Sequence, residues 1–244
     1  MKTDWFTKPL RIAALQGNYE QGENLKVPAR WRAMGFNCEQ LKHIMDVGGR
    51  ITSDFNLRAH GDLLRAYLKE TRKRRLKVIL YLNVHVFAPD ENERRKDWAQ
   101  QDAAGGFYKN YGVCYCICVN SPWHNRFFRS LRQLAEFEID GIFLDGPIVI
   151  PGGCFCRHCQ KLFRRQTGRD LRQASAAEQW QFNAGSLDRF MRQARRRFKA
   201  IKPDGVFYNN LDALHPTPSY YLMPASLEYN DIVGTEGGFF GSLL

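Results

Sequence analysis

A short apolar run, Ile142-Phe143-Leu144, lies between Gly141 and Gly146 and carries Asp145 at its end. A run this short and wholly apolar, bounded by glycines, reads as a strand buried on both faces. Such strands belong to parallel sheets covered by helices, so the run points to the α/β class. In that class ligands bind and chemistry is done at the C-terminal tips of the strands, which makes Asp145 a candidate catalytic carboxylate. The plainer reading is a residue capping the turn into Gly146-Pro147.

The rest of the chain repeats this unit. RIAALQ (11–16) and FNCEQL (36–41) read as strands, with a helix over 26–34 between them that ends at Gly35. Leu57, Leu63, Leu64, Tyr67 and Leu68 recur at helical spacing within 54–75 and leave the arginines on the opposite face. LKVILYLNVHVF (76–87) is the clearest strand, with Asn83 and His85 polar only towards its end. Residues 89–119 are irregular and longer than a plain connection needs, which marks a functional excursion over one end of the fold. Ser121-Pro122 opens a helix running to about 137, and further helices are expected over 156–167 and 178–201. GVFYNN (205–210) and IVGTEGG (232–238) complete the series as strands.

Strand-then-helix units with polar residues at the strand ends predict a (β/α)8 TIM barrel. About six strands are visible and the fold needs eight, so the expectation is a barrel truncated after about six strands. Residues 1–244 then form a single barrel domain, an N-terminal fragment, with a cysteine-rich excursion at about 89–119 and 147–160. A doubly wound open sheet is the structural alternative. Nothing resembling GxGxxG or a P-loop follows any strand, so a nucleotide role has no support.

Charge matters next, because 36 Lys and Arg against 25 Asp and Glu give a formal +11. That balance suits nucleic acid or an acidic substrate. The densest runs, Arg72-Lys73-Arg74-Arg75 and Arg195-Arg196-Arg197, sit in helical patterns with no glycine-aromatic motif beside them, so a solvated helix face is the preferred reading. No apolar run approaches the roughly 20 residues of a membrane span, and the N-terminus has no signal-peptide core, which sets a cytoplasmic expectation. Neither a membrane nor nucleic acid is the expected partner, and a homo-oligomer is left open.

Cys154, Cys156 and Cys159 form CxCxxC, and Cys114, Cys116 and Cys118 precede them by about a helix and a strand. Thiolates spaced this closely in one loop can wrap a tetrahedral ion with one further ligand, and structural zinc is the expected cofactor. Free or oxidised thiols are the alternative, and iron-sulfur ligation fits the spacing less well. Any of Cys114, Cys116, Cys118 or His158 can complete the set.

DGIFLDGP followed by GGCFCRHCQKLFRRQTG resembles a family of hypothetical glycosyl hydrolases related to α-amylase-type and α-L-fucosidase-type barrels. HGDLLRAYLKETRKRRLKVILYLNV, CVNSPWHNRFFRSLRQLAE and IVGTEGGFFG are similar to the same family, so the resemblance covers most of the chain. In α-amylase-like barrels the fourth strand reads approximately DGxRxD with its last Asp as nucleophile, and that position matches Asp145. The arginine position holds Phe143, which departs from true α-amylases. The CxCxxC loop is also similar to that of family 42 β-galactosidases, where a cysteine before a Pro or Ser-Pro segment completes a structural zinc site. That similarity implies Cys118, with Cys154, Cys156 and Cys159, as the metal ligands. The Asn-Glu motif of those β-galactosidases is absent here from the fourth strand.

Glycoside hydrolysis needs one carboxylate to act on the anomeric carbon or a water and another to protonate the departing oxygen. Asp145 as nucleophile and Glu236 as acid/base are the two acidic residues that directly follow an apolar strand core. Asp140, Glu228 and Asp231 sit at the wrong ends of their strands. Asn83, His85, Asn209 and Asn210 are expected to line the same mouth and bind sugar hydroxyls. Trp123, Tyr108 and Tyr111 can stack on a sugar ring, although core packing is the commoner role of such residues. The competing function is a non-catalytic zinc-stabilised carbohydrate-binding or scaffold barrel.

Overall fold

The computed structural model of the protein describes residues 5–14, 21–42, 57–88, 96–210 and 228–232. Five parallel strands form the central sheet: β1 (Ile12–Ala14), β2 (Cys38–Leu41), β3 (Lys77–Asn83), β7 (Gly141–Asp145) and β8 (Val206–Asn209). Their spatial order, β1-β2-β3-β7-β8, is the order of the chain. A doubly wound sheet reverses direction at a switch point, whereas a barrel adds each strand on the same side. The described strands follow the barrel rule.

The sheet is also curled. The Tyr208 hydroxyl in β8 donates to Gln40 Oε1 in β2 at 2.8 Å, although β3 and β7 stand between these strands. In a flat sheet they would lie about 14 Å apart. Alternation then sorts the side chains. Cys38, Ile79, Phe143, Val206 and Tyr208 meet on the concave face, with the Phe143 ring between Tyr81 and Tyr208 at centroid separations of 5.6 and 4.9 Å. Val78, Leu80, Ile142, Leu144 and Phe207 face the helices. Gly141 is required here, because a Cβ at that position would come within 2.7 Å of the Val206 carbonyl oxygen.

The helices cover the outer face. α1 (Gln21–Asn24) and α2 (Val27–Ala33) follow β1, α3 (Leu57–Lys73) precedes β3, and α4 (Trp123–Ala135) precedes β7. α5 (Arg157–Thr167) and α6 (Ala176–Ile201) lie between β7 and β8. Residues spaced by four on α4 make its contact stripe: Trp123 stacks on Phe127 at 5.1 Å, and Phe190 of α6 lies 5.5 Å from Phe128. Trp123 is fully buried in this stripe, so it is a core residue. α6 begins with a complete capping box, Ser175 to Glu178, which satisfies two of its free backbone donors.

Two elements depart from the sequence reading. The strand expected over 76–87 is broken, because Asn83 Oδ1 accepts the backbone N–H of His85 (2.9 Å) and of Val86 (3.2 Å) while its Nδ2 donates to the Val86 carbonyl (3.0 Å). This side-chain turn competes with the ladder and sends the chain into a second sheet. That sheet is antiparallel, ordered β4-β6-β5 from β4 (Val86–Phe87), β5 (Lys109–Asn110) and β6 (Cys114–Cys116). The region read as irregular is therefore partly ordered as short strands, whose two- and three-residue lengths leave no period to read. The strand expected over 232–238 lies outside the described residues beyond Ile232, which packs on the concave cluster. Just before it, Asp231 exchanges hydrogen bonds with the backbone of Phe207 in β8. No described helix is long and apolar enough to cross a membrane.

Candidate functional site

Register brings the mouth together. β3 and β7 pair with Asn83 opposite Asp145, so both strands end at the same level. Asp145 shares the inward parity of Phe143 and is half-buried. Its Oδ2 accepts from the Tyr81 hydroxyl and its Oδ1 from Asn210 Nδ2 at 2.8 Å. Asn210 Oδ1 in turn accepts the backbone N–H of Gly146 at 2.9 Å, tying the last residue after β8 to the turn after β7. Gly146 has φ +94°, and a Cβ there would press on His85 at 3.1 to 3.3 Å. The glycine therefore lets the chain turn against His85 directly behind Asp145.

His85 is mostly buried. Burial pushes its imidazole below the ordinary value, with the Asp145 charge opposing that shift. Its Nε2 lies 3.1 Å from Asn110 Nδ2, and its ring meets Tyr111 edge-on at 5.9 Å. Tyr111 is 64% exposed and holds φ +51°, a backbone region that non-glycine residues rarely enter. An exposed aromatic ring thus stands at the rim of the mouth, while Tyr108 is half-buried against Cys114 and Cys116.

The remaining expected sugar ligands are placed differently. Asn83 spends its amide on the turn just described. Asn209 has the outward parity of Phe207; its backbone N–H donates to Asn230 Oδ1 at 3.2 Å and its Oδ1 accepts from Asn230 Nδ2 at 2.8 Å. Asp140 is occupied at the other end of β7, by Lys77 Nζ (2.7 Å) and the Val78 N–H (3.0 Å). Asp231 is held by Arg195 (2.8 Å) and Lys199 (2.7 Å). Glu236 lies outside the described residues.

The second site is the cysteine cluster. Cys118 follows β6, Cys154 and Cys156 lie in the loop after β7, and Cys159 is in the first turn of α5. Their sulfurs all lie within 4.8 Å of one another, and all four are buried. Cys118 Sγ is 3.5 Å from both Cys159 and Cys156, and none of the cysteines is in a disulfide. A tetrahedral ion with metal–sulfur bonds of about 2.3 Å needs sulfurs about 3.8 Å apart, so the four residues can hold a metal ion. Hydrogen bonds from Cys118, Cys154 and Cys159 push the Cys156 thiol far down, while Cys118 and Cys159 are pushed up. Metal binding to such a cluster releases the protons of its thiols. Cys156 is the residue before the first turn of α5, where the helix dipole favours a thiolate over a thiol.

Of the candidates for a fourth ligand, Cys118 is the one whose sulfur lies with the CxCxxC sulfurs. His158 Nε2 is 2.9 Å from Asp97, and His158 is not in the group of ligand atoms that lie together. Cys114 and Cys116 are buried on β6 with Val86, and burial raises both, Cys116 to about 11. A further contact escaped the sequence reading: Asn120 Nδ2 donates to Cys159 Sγ at 3.3 Å and to Ser186 Oγ at 3.0 Å. The Tyr81 contact to Asp145 escaped it too, although a tyrosine two residues before Asn83 on the same face was a readable signal.

Residues 46–146, less than half of the chain, match the family model described as hypothetical glycosyl hydrolase 6. The matched segment runs through β3 and ends one residue after Asp145. No curated protein sequence matches the chain. Among solved structures, α-L-fucosidase isoenzyme 2 from Paenibacillus thiaminolyticus is 19% identical with a TM-score of 0.62, covering 91% of this chain and 34% of its own. A β-galactosidase from the psychrophilic Marinomonas ef1 is 11% identical with a TM-score of 0.69, covering 95% and 41%. The noncanonic maltogenic α-amylase AmyB from Thermotoga neapolitana is 15% identical with a TM-score of 0.58, covering 96% and 51%. The chain thus spans about a third to a half of the length of these structures. It carries the fold of the glycoside hydrolase (β/α)8 barrels, matched over part of their length, and over residues 46–146 the sequence pattern of hypothetical glycosyl hydrolase 6.

Proposed function

We propose that the chain is the part of a glycoside hydrolase that supplies the catalytic nucleophile, Asp145, to a carbohydrate site at the mouth of the barrel. The observation that carries this reading is the setting of Asp145: half-buried at the tip of β7, it is oriented by neutral donors from β3 and from just past β8. A nucleophile must be fixed in direction and still reachable by an anomeric carbon. Tyr81 and Asn210 supply the direction, and His85 lies at its flank. Glu236 is assigned as acid/base because it follows the next apolar strand pattern in the sequence. A carboxyl separation of about 5 to 5.5 Å makes such an enzyme retaining, and roughly 6.5 to 9.5 Å inverting.

The metal is assigned as zinc in a structural role. Four thiolates close the coordination shell, which leaves no open position for a substrate. Cys118, Cys154, Cys156 and Cys159 would hold it and staple the excursion sheet, the loop after β7 and α5 to one another.

The test is hydrolysis of a panel of aryl glycosides by wild-type, Asp145→Asn and Glu236→Gln protein, using the longest chain available. Turnover of one glycoside class, lost in both variants, supports the assignment; full activity of Asp145→Asn overturns it. The second reading, a non-catalytic zinc-stabilised carbohydrate-binding or scaffold barrel, draws on one observation: both Asp145 oxygens are already engaged by protein donors. It requires saturable sugar binding with no turnover by any form.

A further inference from the structure

α4, α5 and α6 enclose a cavity of about 320 Å³ on the outer side of the molecule, away from Asp145 and His85. Each helix contributes residues four apart: His124 and Phe128, Lys161 and Arg165, Arg189 and Gln193. That spacing puts each pair on one helix face, one turn above the other. Three of these residues are cations, and no carboxylate lines the cavity. Lys161 and Arg165 make no ion pair among the described residues. Arg189 donates only to a neutral partner, Ser186 Oγ, at 3.1 Å. Asp188, next to Arg189 in sequence, accepts from the Tyr229 hydroxyl at 2.9 Å and lies 3.8 Å from Arg192; its charge and that of Cys159 act on Arg189 without a direct ion pair.

Some cations nearby are neutralised. Arg164 and Arg169 on and after α5 meet Asp170 and Glu178, and Arg157 meets Asp97 at 2.6 Å. Lys161, Arg165 and Arg189 share this concavity with no carboxylate in its lining, and what sets it apart from the other basic concavities is its polar and aromatic interior. The floor is polar as well, since Asn120 and Ser186 are hydrogen-bonded to each other there, and Phe128 and Phe190 form an apolar wall. A cavity of this size suits a small molecule. A guanidinium pair and an ammonium around it match the oxygens of a dianion better than a single carboxylate.

We propose that this cavity is a binding site for a phosphate dianion, free or as the head of a small phosphate monoester, separate from the carbohydrate site at the mouth. The inference goes beyond the hydrolase reading and does not depend on it.

The experiment is calorimetric titration of the metal-loaded protein with inorganic phosphate, glycerol phosphate and acetate at matched ionic strength. Saturable one-to-one binding of phosphate or glycerol phosphate is expected, at least about tenfold tighter than acetate. The relative affinities of the two phosphates identify the free ion or the ester as the better occupant. Arg189→Gln and Lys161→Gln should each weaken binding by about tenfold. Lys161 is exposed, so its variant tests the site even if the half-buried Arg189 position proves needed for folding. Arg172→Gln is the control: Arg172 lines a different cavity on the other flank of α5, which Lys161 and Arg165 also border, and it does not border this one, whereas Arg189 borders this one alone. Non-saturable heats, equal affinity for acetate, or equal loss in Arg172→Gln would overturn the proposal.

Discussion

The mouth of the barrel and the cysteine cluster both involve the excursion sheet and the loop after β7, yet their polar groups face opposite ways. At the cluster the four sulfurs face one another and none is more than 2% exposed. At the mouth, Asp145 is held by Tyr81 and Asn210 from behind and stays half-exposed. A site that closes on its own ligands stabilises the loops that supply them. A site whose acid is oriented but left accessible is ready for something that arrives from solution. The two arrangements therefore make different demands on a mutation: one should lose stability, the other turnover.

The largest effect expected is on the mouth. Asp145→Asn keeps the shape and an acceptor for Tyr81 while removing the proposed nucleophile, and should lower turnover by about 10⁴-fold with little change in melting temperature. A variant that loses stability instead would place Asp145 with the structural carboxylates and erase the contrast.

Next comes metal removal. Purified protein should carry close to one equivalent of zinc, and Cys156→Ser or a strong chelator should release it and cost several kcal/mol of stability, read as a fall in melting temperature. The reciprocal control is Cys116→Ala, which should keep its zinc. Zinc below about a tenth of an equivalent in the wild type would sink the closed-site reading.

A third carboxylate sharpens the comparison because it is buried and faces no ligand. Glu39 of β2 has outward parity, is 1% exposed, and accepts from the Tyr67 hydroxyl at 2.5 Å. Burial raises it from 4.5 to about 7, with the Tyr67 hydrogen bond opposing. The folded state then binds its proton more tightly than the unfolded state does. Its contribution to stability is present below about pH 4.5 and is lost as pH rises to about 7, at most about 3 kcal/mol. Glu39→Gln should remove that slope and be the more stable protein at pH 8, as read by denaturant unfolding across pH. An unchanged slope would mean that other groups carry it.

Asp145, Phe143 and the order of the strands were legible because a buried parallel strand is a local pattern: an apolar run, bounding glycines and a polar tip. Cys154, Cys156 and Cys159 were legible for the same reason, being close in sequence. Cys118 could be singled out only through resemblance, since its sulfur reaches the others across a helix and a strand. Asn83 and Asn209 show the limit. Both stand at strand ends and look alike in sequence, but Asn83 turns its amide back on the chain and Asn209 lies one residue out of phase with the concave face. A one-residue difference in parity decides between mouth and core. The β4-β6-β5 sheet was invisible because its strands are too short to show alternation.

The smallest effect concerns a contact that supports the cluster from outside. Asn120 donates to Cys159 Sγ and to Ser186 Oγ from a single amide nitrogen, so with the proposed zinc bound it would both orient a ligand and lower the cost of its charge. A donor of this kind is worth about 10- to 100-fold in metal affinity. Asn120→Ala should therefore weaken zinc binding by that factor in competition with a calibrated chelator, while the fully loaded protein melts within a few degrees of wild type. Asn120→Asp would replace a donor with an acceptor beside a thiolate and should weaken binding further. If both variants hold zinc as tightly as wild type, the four cysteines are sufficient alone, and the cluster is more self-contained than its hydrogen bonds imply.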